Sequence, residues 1–346
     1  MGVEPRARPS RQARRGGDDS PPSALTRTGN QNGLQLVSPF VDDIALLHEL
    51  EPTVATLIDR HTESVKEWFP HEFVPWSRGR DFEPGEEWDP REFELSEGVR
   101  SSLFVNMLTE DNLPHYFRTI KTMFGGGAWA DWSHRWTAEE GRHLIVIRDY
   151  LTVTRAVDPI ALERARMAQV SLGEVPEPEH AMDGIVYVSI QELATRIAHR
   201  NTGKALPDPV GEKLMKRVAM DENFHHIFYR DLAMAAKDMD PSGFMMAMER
   251  QLLDFEMPGT GIIGFKAHAA AIARENIYDF AIHYDNIIAP LVLKHYGIEH
   301  LEGLDAEAEQ ARERVMTFIA RLQKYSERTK ARSEKRAAKL AETGAA

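Results

Sequence analysis

Glu140 and His143 in EEGRHL, and Glu222 and His225 in DENFHH, share one spacing: a carboxylate, two residues, an imidazole. Residues three apart on an α-helix sit about 60° apart around its axis, so each pair projects two metal-ligating groups from one face. A further glutamate stands thirty residues before each pair, Glu110 in MLTEDNLP and Glu192 in SIQELATR. Adding 82 to positions 110, 140 and 143 gives 192, 222 and 225, so E-x29-E-x2-H occurs twice. The spacing predicts two helix pairs, each contributing a lone Glu from one helix and a Glu-x-x-His from the next.

Four carboxylates and two imidazoles on four helices form the ligand set of a ferritin-like di-metal bundle. The motif alone is weak. A third Glu-x-x-His, Glu177 to His180, lies in EVPEPEH, where two prolines oppose a regular helix. The six residues nonetheless have apolar neighbours at helical spacing: Leu103 and Met107, Leu144 and Ile147, Val188 and Ile197, Val218 and Phe228. Carboxylates on an apolar face are costly unless paired or metal-bound. Four of them balance two divalent ions, and O and N ligands admit iron or manganese.

The elements that must carry these ligands read as helices. From Val41 onward apolar residues recur at helical spacing, with no convincing run of alternating strand pattern, so the expected fold class is all-α, a ferritin-like four-helix bundle with additional packed helices. Residues 1–34 are rich in Arg, Ser, Gly and Pro and read as a disordered tail. Residues 35–325 form the expected ferritin-like domain, and residues 326–346 the basic end of a long C-terminal helix, read as a solvated helix with docking as the alternative. The stretch 69–92 is too irregular for a helix and too aromatic for a free linker, so it is expected to pack on the body. Pro114 removes the amide that would bond the carbonyl of residue 110, so the helix should kink or restart there.

Composition narrows the chemistry. The 346-residue chain has no cysteine, which excludes thiolate zinc, disulfides, a Cys nucleophile and an internal iron–sulfur relay of the usual kind. A formal charge of −12 argues against a general nucleic-acid binder. The longest apolar runs are too short to span a bilayer, and the Arg-rich start lacks the apolar core of a secretory signal, so no integral membrane segment and a cytoplasmic location are expected.

At TEDNLP, RWTAEEGRH, YVSIQELATRIAHRNTGKA and DENFHHIFYRD the chain resembles the soluble acyl-carrier-protein desaturases, most closely their actinobacterial branch; the likeness covers about residues 41–325. The resemblance implies that Glu110 and His143 hold one iron, Glu192 and His225 the other, and Glu140 and Glu222 bridge the two Fe2+ ions, with Mn as the alternative metal. It implies that Asp221 accepts a hydrogen bond from His143 and that Trp68 extends this line towards the surface as an electron-entry route, the alternatives being an exposed acid and a core aromatic. Thr195 matches the family's threonine near the oxygen site; bonding back to its own helix is the alternative. Leu113, Thr119, Thr122 and Met123 are cavity candidates, or else ordinary core.

The implied activity is O2-dependent insertion of a double bond into a fatty acyl chain carried on acyl carrier protein, with electrons from ferredoxin and a homodimeric enzyme. Both protein partners are acidic, so docking calls for local cations, for which Lys66, Arg118, Lys121 and the basic C-terminal helix are candidates. There are departures: Gly141 stands where the family often has Asn, and the loop LGEVPEPEHAMDG has its own sequence. The rivals are another ferritin-like di-metal oxidase, or a non-catalytic protein that binds acyl carrier protein. A radical-generating reductase subunit usually has tyrosine one turn after its first ligand His, where this chain has Ile147.

Overall fold

Three helices begin at an Asp-Pro step, and each is started by the same chemistry. The side chain of Asp158 accepts a hydrogen bond from the Ile160 amide, that of Asp208 from Val210 and Gly211, and that of Asp240 from Gly243. The following proline supplies a preset φ and lacks an amide that would go unbonded in the first turn. The structure, a computed structural model, describes residues 43–342. The tail expected over 1–34 lies outside them.

The described helices are α1 (Asp43–Ser64), α2 (Glu97–Asp111), α3 (Leu113–Phe124), α4 (Gly127–Thr154), α5 (Pro159–Leu172), α6 (Ala181–Ala205), α7 (Pro209–Met239), α8 (Pro241–Leu253), α9 (Phe265–Arg274), α10 (Phe280–His283) and α11 (Ala306–Glu342). Between α10 and α11 the chain widens into π-type turns over Tyr284–His295 that accommodate Pro290. Among the described residues there is no strand, which agrees with the all-α expectation, and no helix is long and apolar enough to cross a membrane.

Four helices, α2, α4, α6 and α7, form the bundle that matters here. α6 and α7 pack together extensively, and Gly203 sits tight against α7: a Cβ there would lie 2.9 Å from Cβ of Met215. Two apolar clusters fill the interior. One contains Trp129, Trp132 and Trp136 of α4 with Phe228, Tyr229 and Leu232 of α7; the other contains Val146, Ile147 and Tyr150 of α4 with Leu214, Met215 and Val218 of α7. On both helices the Glu-x-x-His pair falls between the two clusters, so the helices carry the polar groups into a belt sealed by apolar core on either side.

The connection before α2 packs on this body as expected. Short turns at Pro70–Glu72 and Trp76–Arg78 follow the buried Trp68, and the indole of Trp88 donates to the Arg155 carbonyl at 2.8 Å. α11 buries Ala308, Ala311, Val315 and Ile319, one stripe of its N-terminal half.

Candidate metal centre

The break expected from Pro114 falls at Asn112. α2 ends at Asp111 and α3 restarts at Leu113, while the Asn112 amide group donates to the Glu174 carbonyl at 3.1 Å. Glu110 therefore sits in the last turn of a helix whose continuation swings away, leaving space beside its carboxylate. Gly141 does not interrupt α4, which runs on through Thr154.

All six predicted ligands are buried and meet in the belt. His143 Nδ1 lies 3.1 Å from Glu140 Oε2, 3.4 Å from Glu222 Oε1 and 3.8 Å from Glu110 Oε2. His225 Nδ1 lies 2.8 Å from Glu140 Oε1, 3.8 Å from Glu192 Oε2 and 3.9 Å from Glu222 Oε2. Glu140 and Glu222 thus each offer one oxygen to each of these two imidazoles, whereas of the two Glu110 faces only His143 and Glu192 only His225. Ligand atoms of Glu110, Glu140, His143 and Glu222 lie within 4.8 Å of one another, as do those of Glu140, Glu192, Glu222 and His225. Glu140 Oε1 and His225 Nδ1, though 2.8 Å apart, are not aligned as a hydrogen bond, and Glu192 Oε2 has no partner. Buried polar atoms ordinarily find partners, so lone pairs left open in two overlapping groups of four fit a pair of metal ions.

Electrostatics agrees. Burial, with the Glu140 and Glu222 carboxylates adding to it, pushes Glu110 up to about 7, and burial with Glu222 pushes Glu192 well up. Burial opposes charge on Glu222 too, but the imidazoles of His143, His199 and His225 around it overcome that and hold the carboxyl well down. Without cations some of these carboxylates must take protons; two divalent ions would supply the missing positive charge.

Each imidazole turns its Nε2 to an outer carboxylate. Asp221 Oδ2 is 3.5 Å from His143 Nε2, adjacent but without an aligned hydrogen bond, because that oxygen is taken by Trp68 Nε1 at 2.7 Å and Arg142 at 3.3 Å. Trp68 is buried beneath the guanidinium groups of Arg142 and Arg217, 5.0 and 5.3 Å from its ring centroid. Glu139 does the same on the other side and with better geometry: its Oε2 lies 3.0 Å from His225 Nε2 and 2.9 Å from His61 Nε2. The sequence reading missed Glu139, although 139 and 221 obey the offset of 82 that relates the ligands. It also missed His199, 3.1 Å from Glu110 and 3.4 Å from Glu222, and Trp136, whose Nε1 donates to Glu192 Oε1 at 3.0 Å. His199 is seven residues after Glu192 and Trp136 four before Glu140, both on the ligand face. His61 comes from α1 and has no such signal.

Thr195 bonds back to the Glu192 carbonyl at 3.0 Å, the alternative expected for it, and its hydroxyl also reaches Glu222 Oε2 at 3.3 Å. It stands between two cavities. The first is walled by apolar side chains including Leu113, Tyr116, Ile120, Met123, Phe124 and Tyr187, with Thr119, and reaches Glu110, Glu140, Thr195 and Glu222. The second also reaches Glu110 and Thr195 and is walled by Val105, Met257, Phe265, Ile272 and Tyr278. Thr122 is a correction: the cavity face of α3 runs through Tyr116, Ile120 and Met123, and Thr122 falls outside it, on the solvent side. Lys66 is exposed, and Arg118 pairs with Glu177 at 3.5 Å.

A model of the fatty acid desaturase family matches residues 42–343. The Mycobacterium tuberculosis protein DesA1, named as an acyl-[acyl-carrier-protein] desaturase, is 41% identical over 319 residues, 89% of this chain and 94% of that one. The chloroplastic stearoyl-[acyl-carrier-protein] 9-desaturase 6 of Arabidopsis thaliana is 32% identical over 252 residues, 67% of this chain and 64% of that one. The X-ray structure of the acyl-ACP desaturase DesA2 of M. tuberculosis superposes with a TM-score of 0.61 at 26% identity, covering 74% of this chain and 99% of that one.

Proposed function

The chain belongs to the fatty acid desaturase family, and from that membership we propose that it is an O2-dependent acyl-[acyl carrier protein] desaturase whose six buried ligands hold two iron ions. Glu110 and His143 would hold one ion, Glu192 and His225 the other, and Glu140 and Glu222, each facing both imidazoles, would serve both. The observation that carries this reading is the way Glu140 and Glu222 each offer one oxygen to each imidazole at the wall of an apolar cavity. The reaction removes two hydrogens from neighbouring methylenes; O2 takes these, two electrons and two protons, and leaves as two waters. Bound iron supplies the O2 chemistry that attacks an unactivated C–H bond.

The protein's own residues hold the acyl chain and manage charge. Thr109, Glu110, Thr195 and Pro258 wall both cavities, so an acyl chain lying in either has its methylenes beside the ligands, and one that passed between them would run past the centre. Apolar walls exclude water, and such positioning is worth several kcal/mol of the barrier, about 7–11 in well-oriented systems. Trp136 fixes the Glu192 carboxylate, and the Thr195 hydroxyl can hold a proton at Glu222 Oε2. We assign ferredoxin as the electron source, O2 as oxidant and a homodimer as the assembly on the family resemblance. The contact of Trp68 with Asp221, next to His143, supports an electron path at that side.

The test is mass spectrometry of the acyl chain after iron-loaded protein, ferredoxin, its reductase and O2 meet several acyl–acyl carrier proteins. Loss of two hydrogens from one of them, with about two irons per chain, is the expected result. Oxygen consumed with every chain unchanged would replace this reading with that of a di-metal oxidase. Carrier protein bound without metal would leave only the non-catalytic one.

A further inference from the structure

Between α5 and α6 the chain runs through GEVPEPEH, residues 173–180, in which proline and glutamate alternate. Side chains two apart in an extended chain share a face. Pro176 and Pro178 wall the first cavity, while Glu177 and Glu179 line a recess open to solvent, together with Asp43, Arg118 and Thr122. Thr119, Met123 and Pro178 wall the cavity and the recess at once, so the partition between the two is a single layer of side chains. Thr119 is short and Pro178 is a fixed ring. Met123 is the movable part: it is unbranched, with three rotatable bonds, half-buried, and its sulfur rests over Gly184, where there is no side chain to hold it.

We propose that Met123 is a door: when it turns aside, cavity and recess join, and the methyl end of an acyl chain longer than the cavity passes out into solvent. The proposal rests on the desaturase reading above and names its substrates. They are acyl chains whose far end outruns the buried cavity or carries a bulky group, with the carrier protein at the opposite end.

The rim suits a tail and not a carrier. Arg118 is held by Glu177 at 3.5 Å and His180 lies 3.6 Å from Asp43, so the cations there are matched by acids, and Glu174 and Glu179 add two more. Such a rim repels an acidic protein, whereas an alkyl tail offers it no charge. Pro176 and Pro178 restrict the loop, so opening takes the rotation of one side chain and leaves the backbone in place. A methylene beyond the door gains no further burial and adds nothing to binding, but it also meets no wall.

The test uses the full-length, iron-loaded protein and carrier-bound acyl chains of graded length. With the door, kcat/KM rises with each added methylene while the tail is still inside and then levels off; a closed cavity instead loses about 10-fold or more for each methylene that does not fit. Met123→Trp should bring that loss back, turning the plateau into a fall. A second measurement does not depend on turnover. The chain has no cysteine, so Thr122→Cys, on the recess side, places a single thiol where a passing tail emerges. An acyl chain ending in a bromoacetamide should alkylate it: the sulfur–carbon bond forms, bromide leaves and the thiol proton goes to water, giving an adduct read by peptide mass spectrometry. Long chains should give the adduct, short ones that end inside should not, and Met123→Trp should suppress it. A fall beyond one chain length in the unsubstituted protein, or an adduct equally abundant at every length, would overturn the door. Loss of two hydrogens from no chain of any length overturns the desaturase reading, whereas desaturation of short chains with no adduct from long ones overturns the door alone.

Discussion

Glu222 touches more of the site than any other ligand: it faces His143, His199 and His225 and receives the Thr195 hydroxyl. Glu222→Ala should therefore lose both irons, seen as metal content near zero and no detectable desaturation. Glu139→Gln acts one step out, through the orientation of His225, and should keep both sites while weakening metal affinity by about 10–100-fold in a metal titration. The metal-free protein should also respond to pH in a fixed direction. Glu110, raised from 4.5 to about 7 by burial, binds a proton in the fold that the unfolded chain has already shed. His199 is raised from 6.5 to about 9, because hydrogen bonds to Glu110 and Glu222 outweigh its burial. Both contributions are lost as pH rises, the first between about 4.5 and 7 and the second between about 6.5 and 9. Glu140 and Glu222, whose values are lowered, act only at lower pH. His226 and His283, lowered to about 4 mainly by burial, act in the opposite direction below about 6.5, so thermal melts of metal-free protein should fall from pH 7 to 9, and those of metal-loaded protein much less; a melting point that rises over this range would show the protons to be elsewhere.

At the scale of the element, the bundle was legible because its ligands repeat at one offset on helices with strong apolar periodicity. Glu139 obeyed that offset and could have been read from it. His61 could not, since its place against Glu139 is set by how α1 packs on α4 and α7. The cavities were illegible for the same reason: Leu113, Thr119 and Met123 line one while Thr122, on the same helix, does not, and only the turn of α3 against α6 decides. That contact makes a prediction about substrate. Gly184 of α6 leaves room that Met123 fills, for a Cβ there would lie 2.4 Å from the Met123 sulfur and 3.5 Å from the Phe124 ring. The methionine end is flexible and can yield. Gly184→Val should push it into the cavity and shift the preferred acyl chain to a shorter one, whereas Met123→Ala should admit a longer one. Competition between acyl–carrier substrates of graded length, read as the ratio of kcat/KM values, measures both; a pocket methylene is worth about 1–3 kcal/mol, or roughly 10–200-fold. An unchanged ratio in both variants would place the chain end elsewhere.

The whole molecule carries a formal charge of −12 and must, on this reading, receive acidic partners, so the placement of its cations decides where they dock. The two ends of the cavity system differ sharply. Outside the first cavity, Arg118 is paired with Glu177 beside Glu179 and Asp43, and the loop there brings three glutamates within six residues, Glu174, Glu177 and Glu179. Outside the second stands α9, FKAHAAAIAR, which has Lys266, His268 and Arg274 and no acidic residue, although Arg274 pairs with Glu97 of α2 at 2.9 Å; Phe265, Ala269 and Ile272 of the same helix wall the cavity. An acidic carrier would be repelled from the first mouth and drawn to the second, with its acyl chain entering past Thr109 towards Glu110. Rim charges act mainly on encounter rate and salt dependence. Lys266→Glu combined with Arg274→Glu should therefore raise KM for the carrier-bound substrate by about tenfold, the effect of roughly 1.4 kcal/mol, with little change in kcat. It should also flatten the rise of KM with salt, because exposed charges are screened over about 10 Å at 0.1 M. Arg118→Glu should leave KM nearly unchanged. A reversed ranking of the two variants would put the carrier at the other mouth and turn the acyl chain end for end in the cavity.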